Sequence, residues 1–267
     1  MIFIGTAGYS YRDWIGPYYP PGTASGKMLE LYAAEFFFVE INATYYRLPD
    51  WKMIKSMEGK TPPGFQFVIK AHESITHQYS QDYQANCRKF KQALQPLDEN
   101  EKLGGILAQF PYSFQNNEAN RKYLLALKEA FSPFPLIVEF RRRDWQQEAV
   151  FKLLQENSIA YTCVDEPQLK GLMSPLAVRT AKLAYLRFHG RNYTTWWNHK
   201  KPYERYNYLY SHEELTGWVP KINTINQGAE KLFISFNNHF QAQAVANARM
   251  MQKILKKAEF HNDKILP

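Results

Sequence analysis

The chain has 267 residues, 45% of them hydrophobic, which argues against disorder and suits either one α/β barrel or two small domains. Its net charge of +8, from 33 Lys and Arg against 25 Asp and Glu, is not gathered in a tail, so it suits solubility plus a small anion better than an extended nucleic-acid surface. With only Cys87 and Cys163 a disulfide framework is not expected, and no run of eighteen apolar residues is present to span a membrane.

The opening "MIFIGTAGYSYRDW" lacks the basic start and long apolar run of a signal peptide, so a reduced, cytoplasmic setting is expected. In chain order, strands are predicted at 2–8, 37–43, 65–71, 103–110, 136–141, 160–165, 183–190 and 232–238. Most are continuous apolar runs, the mark of a parallel sheet buried on both faces. Helix-like stretches separate them: "KMLELYAAEF" and "DWKMIKSMEGK" around the second strand, the latter opening on Asp50 as a cap. "DYQANCRKFKQALQPL", "NNEANRKYLLALKEAF" and "DWQQEAVFKLLQENS" follow the third, fourth and fifth strands, the last with Asp144 as its expected cap. After the sixth strand Pro167 and Pro175 argue against a full helix, and two further helical stretches follow the last two strands.

Eight βα-like units in this length predict a single (β/α)8 TIM-type barrel domain over residues 1–267, irregular after the sixth strand. A doubly wound sheet is the alternative, but the chain has no GxGxxG and no GxxxxGK[ST], so neither dinucleotide nor P-loop chemistry is supported.

In a barrel, chemistry belongs at the C-terminal strand ends. Those ends carry Thr6 and Tyr9, Glu40 and Asn42, Lys70 and His72, Gln109, Glu139 and Arg141, Asp165, Arg187 and His189, then Asn237, Asn238 and His239. The pairs 40/42, 70/72, 139/141 and 187/189 each keep one parity, so each can point toward the barrel axis. One reading is a structural network joining Glu40, Glu139 and Asp165 to Lys70, Arg141 and Arg187; the other is a ligand site. Counting Lys70, Arg141, Arg187 and a protonated His189, cations outnumber the three carboxylates, which favours a phosphate or carboxylate on the ligand.

For acid–base work Glu40 or Glu139 would serve as base and Lys70 or His189 as acid, once burial moves their pKa values. His72, His189 and His239 beside the acids are metal candidates by residue type, yet no HxH, HExxH or Cys cluster appears and the cations oppose a metal. No cofactor is required. Cys163, inside a strand, reads as an inert thiol, and no GxSxG is present. His77 and His212 read as solvated or capping. Loops at 8–22, 44–51 and 190–210 are rich in Tyr and Trp, either as rim packing or as surfaces for bases or sugars.

The blocks "GTAGYSYRDWIGPYYP", "FVEINATYYRLP", "TPPGFQFVIKAHESITH", "LGGILAQFPYSF", "VEFRRRDW", "YLRFHGR" and "FNNHFQAQAVANA" resemble, in order and over nearly the whole chain, the YecE-like family, the domain of unknown function seventy-two. The resemblance implies a TIM-type barrel and carries no assigned activity. Family motif positions coincide with Glu40, Asn42, Lys70, Gln109, Glu139, Arg141, Arg187, His189, Asn237 and Asn238. They add Tyr46, Arg47, His77 and Trp145, which raises His77 to a candidate. The segment after "CVDEP" departs from the pattern by being short and lacking a second strong motif. Three functions stay open: an enzyme for a small phosphate- or carboxylate-bearing substrate, a nucleic-acid-binding or -processing barrel, and a sensor of an anionic metabolite.

Overall fold

The apolar runs form eight parallel strands: β1 Ile2–Ala7, β2 Phe38–Ile41, β3 Gln66–Lys70, β4 Leu103–Gln109, β5 Leu136–Glu139, β6 Ala160–Asp165, β7 Leu183–Phe188 and β8 Lys231–Phe236. Each pairs with its successor and β8 returns to β1, so the sheet closes into a TIM-type barrel, as expected. The computed structural model describes residues 1–78, 82–258 and 265–266. Ile265–Leu266 (β9) pairs with Ile2 and Phe3 of β1, while β2 takes the other end at Thr6 and Ala7. Between them lies Gly5, where a Cβ would come 2.1 Å from the Phe38 carbonyl oxygen. Only glycine allows the close approach that closes the barrel there.

The helices are α1 Met28–Ala33, α2 Ala43–Tyr46, α3 Trp51–Glu58, α4 Glu73–Thr76, α5 Tyr83–Asp98, α6 Glu118–Phe131, α7 Glu148–Glu156, α8 His212–Thr216, α9 Val219–Asn226 and α10 Gln243–Lys257. Asp50 caps α3 as expected, its carboxylate accepting from the Met53 N–H at 2.9 Å. Asp144 does not cap α7. It sits in a 3-10 turn, Arg143–Trp145, and accepts from Arg142 Nε at 2.8 Å and the Asn116 N–H at 3.2 Å; the helix starts after Gln147. No helix follows β6, in keeping with its prolines. No helix among the described residues is long and apolar enough to cross a membrane.

The barrel interior has two tiers. The lower is an apolar plug with one residue from each strand in turn: Phe3, Phe38, Val68, Leu107, Ile137, Ala160, Tyr185 and Phe233. Two residues further along each strand, on the same face, stand Gly5, Glu40, Lys70, Gln109, Glu139, Thr162, Arg187 and Ser235. The period of two thus stacks a polar tier directly on an apolar one. The rest of the core, including free Cys87 and Cys163, packs between barrel and helices, where burial pushes both thiols up to about 12.

Candidate functional site

Arg187 organises the polar tier. Its Nη1 donates to Glu139 Oε2 and its Nη2 to Glu40 Oε1, both at 2.6 Å, with all three side chains buried. Glu40 also accepts from the Tyr185 hydroxyl at 2.7 Å and Ser235 Oγ at 3.1 Å. Arg141 Nη2 lies 3.0 Å from Glu139 Oε1, and its Nη1 donates to Glu166 Oε2 at 3.2 Å. His189 places Nε2 3.3 Å from Glu139 Oε1, and its Nδ1 meets Asn237 at 3.1 Å.

Burial disfavours the Glu139 carboxylate, but Arg187 and Arg141 outweigh it and hold Glu139 well below the usual range. Burial, with Arg141 and Arg187 beside it, lowers His189 to about 3, so its imidazole is neutral at pH 7. The expected surplus of cations therefore loses one member. Burial, Lys70 and Arg141 likewise lower His77 to about 4.

Two groups are driven toward neutrality instead. Lys70 is half-buried, and burial together with Arg187 brings its amine down to about 7 against the pull of Glu139 and Glu40. The amine makes no hydrogen bond or ion pair among the described residues, lying over the Tyr45 ring at 4.5 Å. Glu166, 1% exposed, is pushed up to about 7 by burial, with Arg141 opposing; its other oxygen accepts from the Met173 N–H at 2.9 Å.

Above this tier opens a cavity of about 250 Å³ lined by His77, Gln109, Arg141, Leu172, Arg205 and the rings of Tyr112, Trp196, Trp197 and Tyr206. Four of these come from the 190–210 segment, which is anchored from below. Asp165 accepts from Arg191 at 2.8 and 2.7 Å, from the Tyr210 hydroxyl at 2.7 Å and from Trp218 Nε1 at 2.7 Å. Gly190, at φ +90°, makes the turn into the segment, where a Cβ would meet Tyr208 at 2.8 Å. Replacing Asp165 with Asn should cost about 2 kcal/mol, because Arg191 loses its two-point carboxylate partner and keeps only Glu214 at 3.1 Å. Urea unfolding measures the loss, and limited proteolysis should cut the wild type more slowly between 190 and 210.

A family model described as protein of unknown function DUF72 matches residues 3–266. The chain belongs to that family. It is 30% identical over 273 residues to the UPF0759 protein YunF of Bacillus subtilis (strain 168), covering 96% of this chain and 95% of that one. Its fold matches crystal structures of DUF72 family proteins from Thermotoga maritima MSB8 and Enterococcus faecalis V583. The first has TM-score 0.88 and 37% identity, covering 96% of this chain and 99% of that one. The second has TM-score 0.86 and 28% identity, covering 96% of each.

Of the candidate residues named from the sequence, Glu40, Lys70, Glu139, Arg141, Arg187, His189 and Asn237 come together in and just above the polar tier, and His77 and Gln109 reach the cavity. Others stand apart. Trp145 stacks on Phe140 at 4.2 Å and donates to the Phe114 carbonyl at 2.7 Å, buried in the outer core. Asn238 ties Tyr208 to Asn247, and Asp165 faces its four donors. Tyr46 is 77% exposed, Arg47 is exposed, and half-buried Tyr9 accepts from Tyr19 through its carbonyl. Asn42 starts α2 with its Oδ1 unpartnered, and His72 leaves the axis to cap α4.

Glu166, Tyr185 and Ser235 escape the strand-end reading although parity marks all three: Tyr185 shares the face of Arg187, Ser235 that of Asn237, and Glu166 that of Ala160 in the plug. Among the described residues no three of His, Cys, Asp and Glu converge as a metal-binding group.

Proposed function

We propose that the chain is an enzyme that binds a small phosphate- or carboxylate-bearing substrate in the cavity at the C-terminal mouth and acts on it by acid–base chemistry. The carrying observation is the cavity itself: Arg141 and Arg205 among aromatic walls, above the polar tier, with Lys70 of that tier and Glu166, the partner of Arg141, both brought to about 7. Guanidinium groups suit an anionic group, and rings suit a planar or apolar body. At about 250 Å³ the cavity lies below the roughly 300–1,000 Å³ of drug-sized sites, which points to a small metabolite. Glu166 as a carboxylic acid and Lys70 as a free amine are the groups able to give and take a proton near pH 7. Glu40 and Glu139, held by Arg187, orient the tier, and neutral His189 lends a polar contact.

Phosphate and malonate titrations followed by Trp196 and Trp197 fluorescence test this reading. Saturable quenching is expected, with Arg141→Met weakening it about 10- to 100-fold through loss of a charge-assisted contact. No quenching, or equal affinity in the variant, would overturn it. The nucleic-acid reading has its own observation: Trp197 and Tyr193 are 55% and 52% exposed on the same segment as Lys200, Lys201 and Arg205. An oligothymidine arm of the titration, repeated at two salt concentrations, favours that reading if it quenches and weakens steeply with salt.

A further inference from the structure

We propose that Lys70 is a nucleophile that forms an imine with its ligand, which makes the ligand class a small anionic aldehyde or ketone. The inference rests on the anion site proposed above and names the chemistry of what enters it.

The fold shows how it treats a lysine meant as a structural cation. Lys102, buried at 5% exposure, donates to the Glu58 and Thr61 carbonyls at 2.8 Å and lies 3.1 and 3.2 Å from the Glu58 carboxylate and the Thr61 hydroxyl. Lys70 has none of this among the described residues, although carboxylates stand close enough to act on its pKa. Each carboxylate is already committed: Glu40 to Arg187, Tyr185 and Ser235; Glu139 to Arg187 and Arg141; Glu166 to Arg141 and the Met173 N–H. The amine is left with an aromatic face and some contact with solvent. Tyr45 links it to the cavity, since the same ring meets His77 edge-on at 5.0 Å and His77 lines the cavity wall.

A half-buried lysine that makes no ion pair, and whose ammonium form burial and the charge of Arg187 oppose more than Glu139 and Glu40 favour it, is available as an amine. Its lone pair would attack the carbonyl carbon, forming a C–N bond while the C=O π pair moves to oxygen. Two protons pass from nitrogen to that oxygen, water leaves, and a C=N bond remains. Once protonated, the imine withdraws electrons from the adjacent bond and gives a neighbouring base a C–H proton to remove. Arg141 and Arg205 would hold the ligand's anionic group. The depressed pKa supports the same assignment, because the neutral fraction of such an amine at pH 7.5 exceeds that of a surface lysine about a hundredfold or more.

The full chain is treated separately with pyruvate, glyoxylate and glycolaldehyde phosphate in the presence of sodium cyanoborohydride. Intact mass and peptide mapping then locate the reduced adduct. The expected result is a single adduct on Lys70 with at least one probe, growing between about pH 6 and pH 8 and absent in Lys70→Arg. Mapping in the wild-type chain carries the test if that variant fails to fold. No adduct with any probe, or labelling spread over surface lysines and unchanged in Lys70→Arg, overturns the imine. If phosphate still quenches Trp fluorescence in that case, the anion site stands without the imine; if it does not, both fall.

Discussion

Replacing Arg187 with Met should destabilise the fold by about 3–5 kcal/mol, on the order of 10 °C in Tm, the largest effect expected of any single substitution in the polar tier. The cause is what remains behind. Glu40 and Glu139 are both fully buried, and Arg187 lies 2.6 Å from each. Without it, Glu139 retains Arg141 at 3.0 Å, but Glu40 keeps only the neutral Tyr185 and Ser235 hydroxyls. An ionised carboxylate with so little compensation must take up a proton or lose burial, and either course is costly. The triple variant Glu40→Gln, Glu139→Leu, Arg187→Met removes the stranded charges too and should recover at least about half of the loss. Urea unfolding of both variants measures this. An Arg187→Met chain as stable as wild type would mean that water reaches the tier and shields the carboxylates.

Glu166→Gln should change how stability depends on pH. In the folded chain Glu166 is raised to about 7 from the usual 4.5, chiefly by burial, with Arg141 opposing and Glu139 adding to the rise. Between those values the folded chain holds a proton that the unfolded chain has released, so wild-type stability falls as pH rises from 4.5 through 7. Glutamine does not titrate. The stability of the variant relative to wild type should therefore climb across that window by up to about 3 kcal/mol. Lys70 acts in the next window with the opposite sign: above about 7 the unfolded amine holds its proton up to 10.5 while the folded one does not, so stability rises again. Together the two groups place a minimum near pH 7. Parallel curves for Glu166→Gln and wild type between pH 5 and 7.5 would show that Glu166 titrates as an ordinary carboxylate.

Much of the barrel was legible because its signals are local. The eight strands announce themselves as apolar runs, and the cap at Asp50 works through a hydrogen bond spanning three residues. Asp144 misleads for the same reason. It has the residue type of a cap, but the chain turns first through Arg143–Trp145 and spends that carboxylate on Arg142 and Asn116, a contact with the preceding βα loop that helix-start patterns do not encode.

The sequence by itself determined the fold class and the place of the candidate site, because a period of two carries Glu40, Lys70, Glu139 and Arg187 to one face once the strands are assigned. Only the tertiary structure decided who pairs with whom. Arg187 and Glu40 are 147 residues apart, and pairing at that separation depends on barrel closure and stagger. Strand parity turns Glu166 inward where the strand-end count named Asp165, and the fold spends Asp165 on anchoring the 190–210 segment instead. Burial then settled protonation. It holds His189 neutral and brings the Lys70 amine down to about 7, because the cost of charging a group depends on what surrounds it in space, and no spacing along the chain records that.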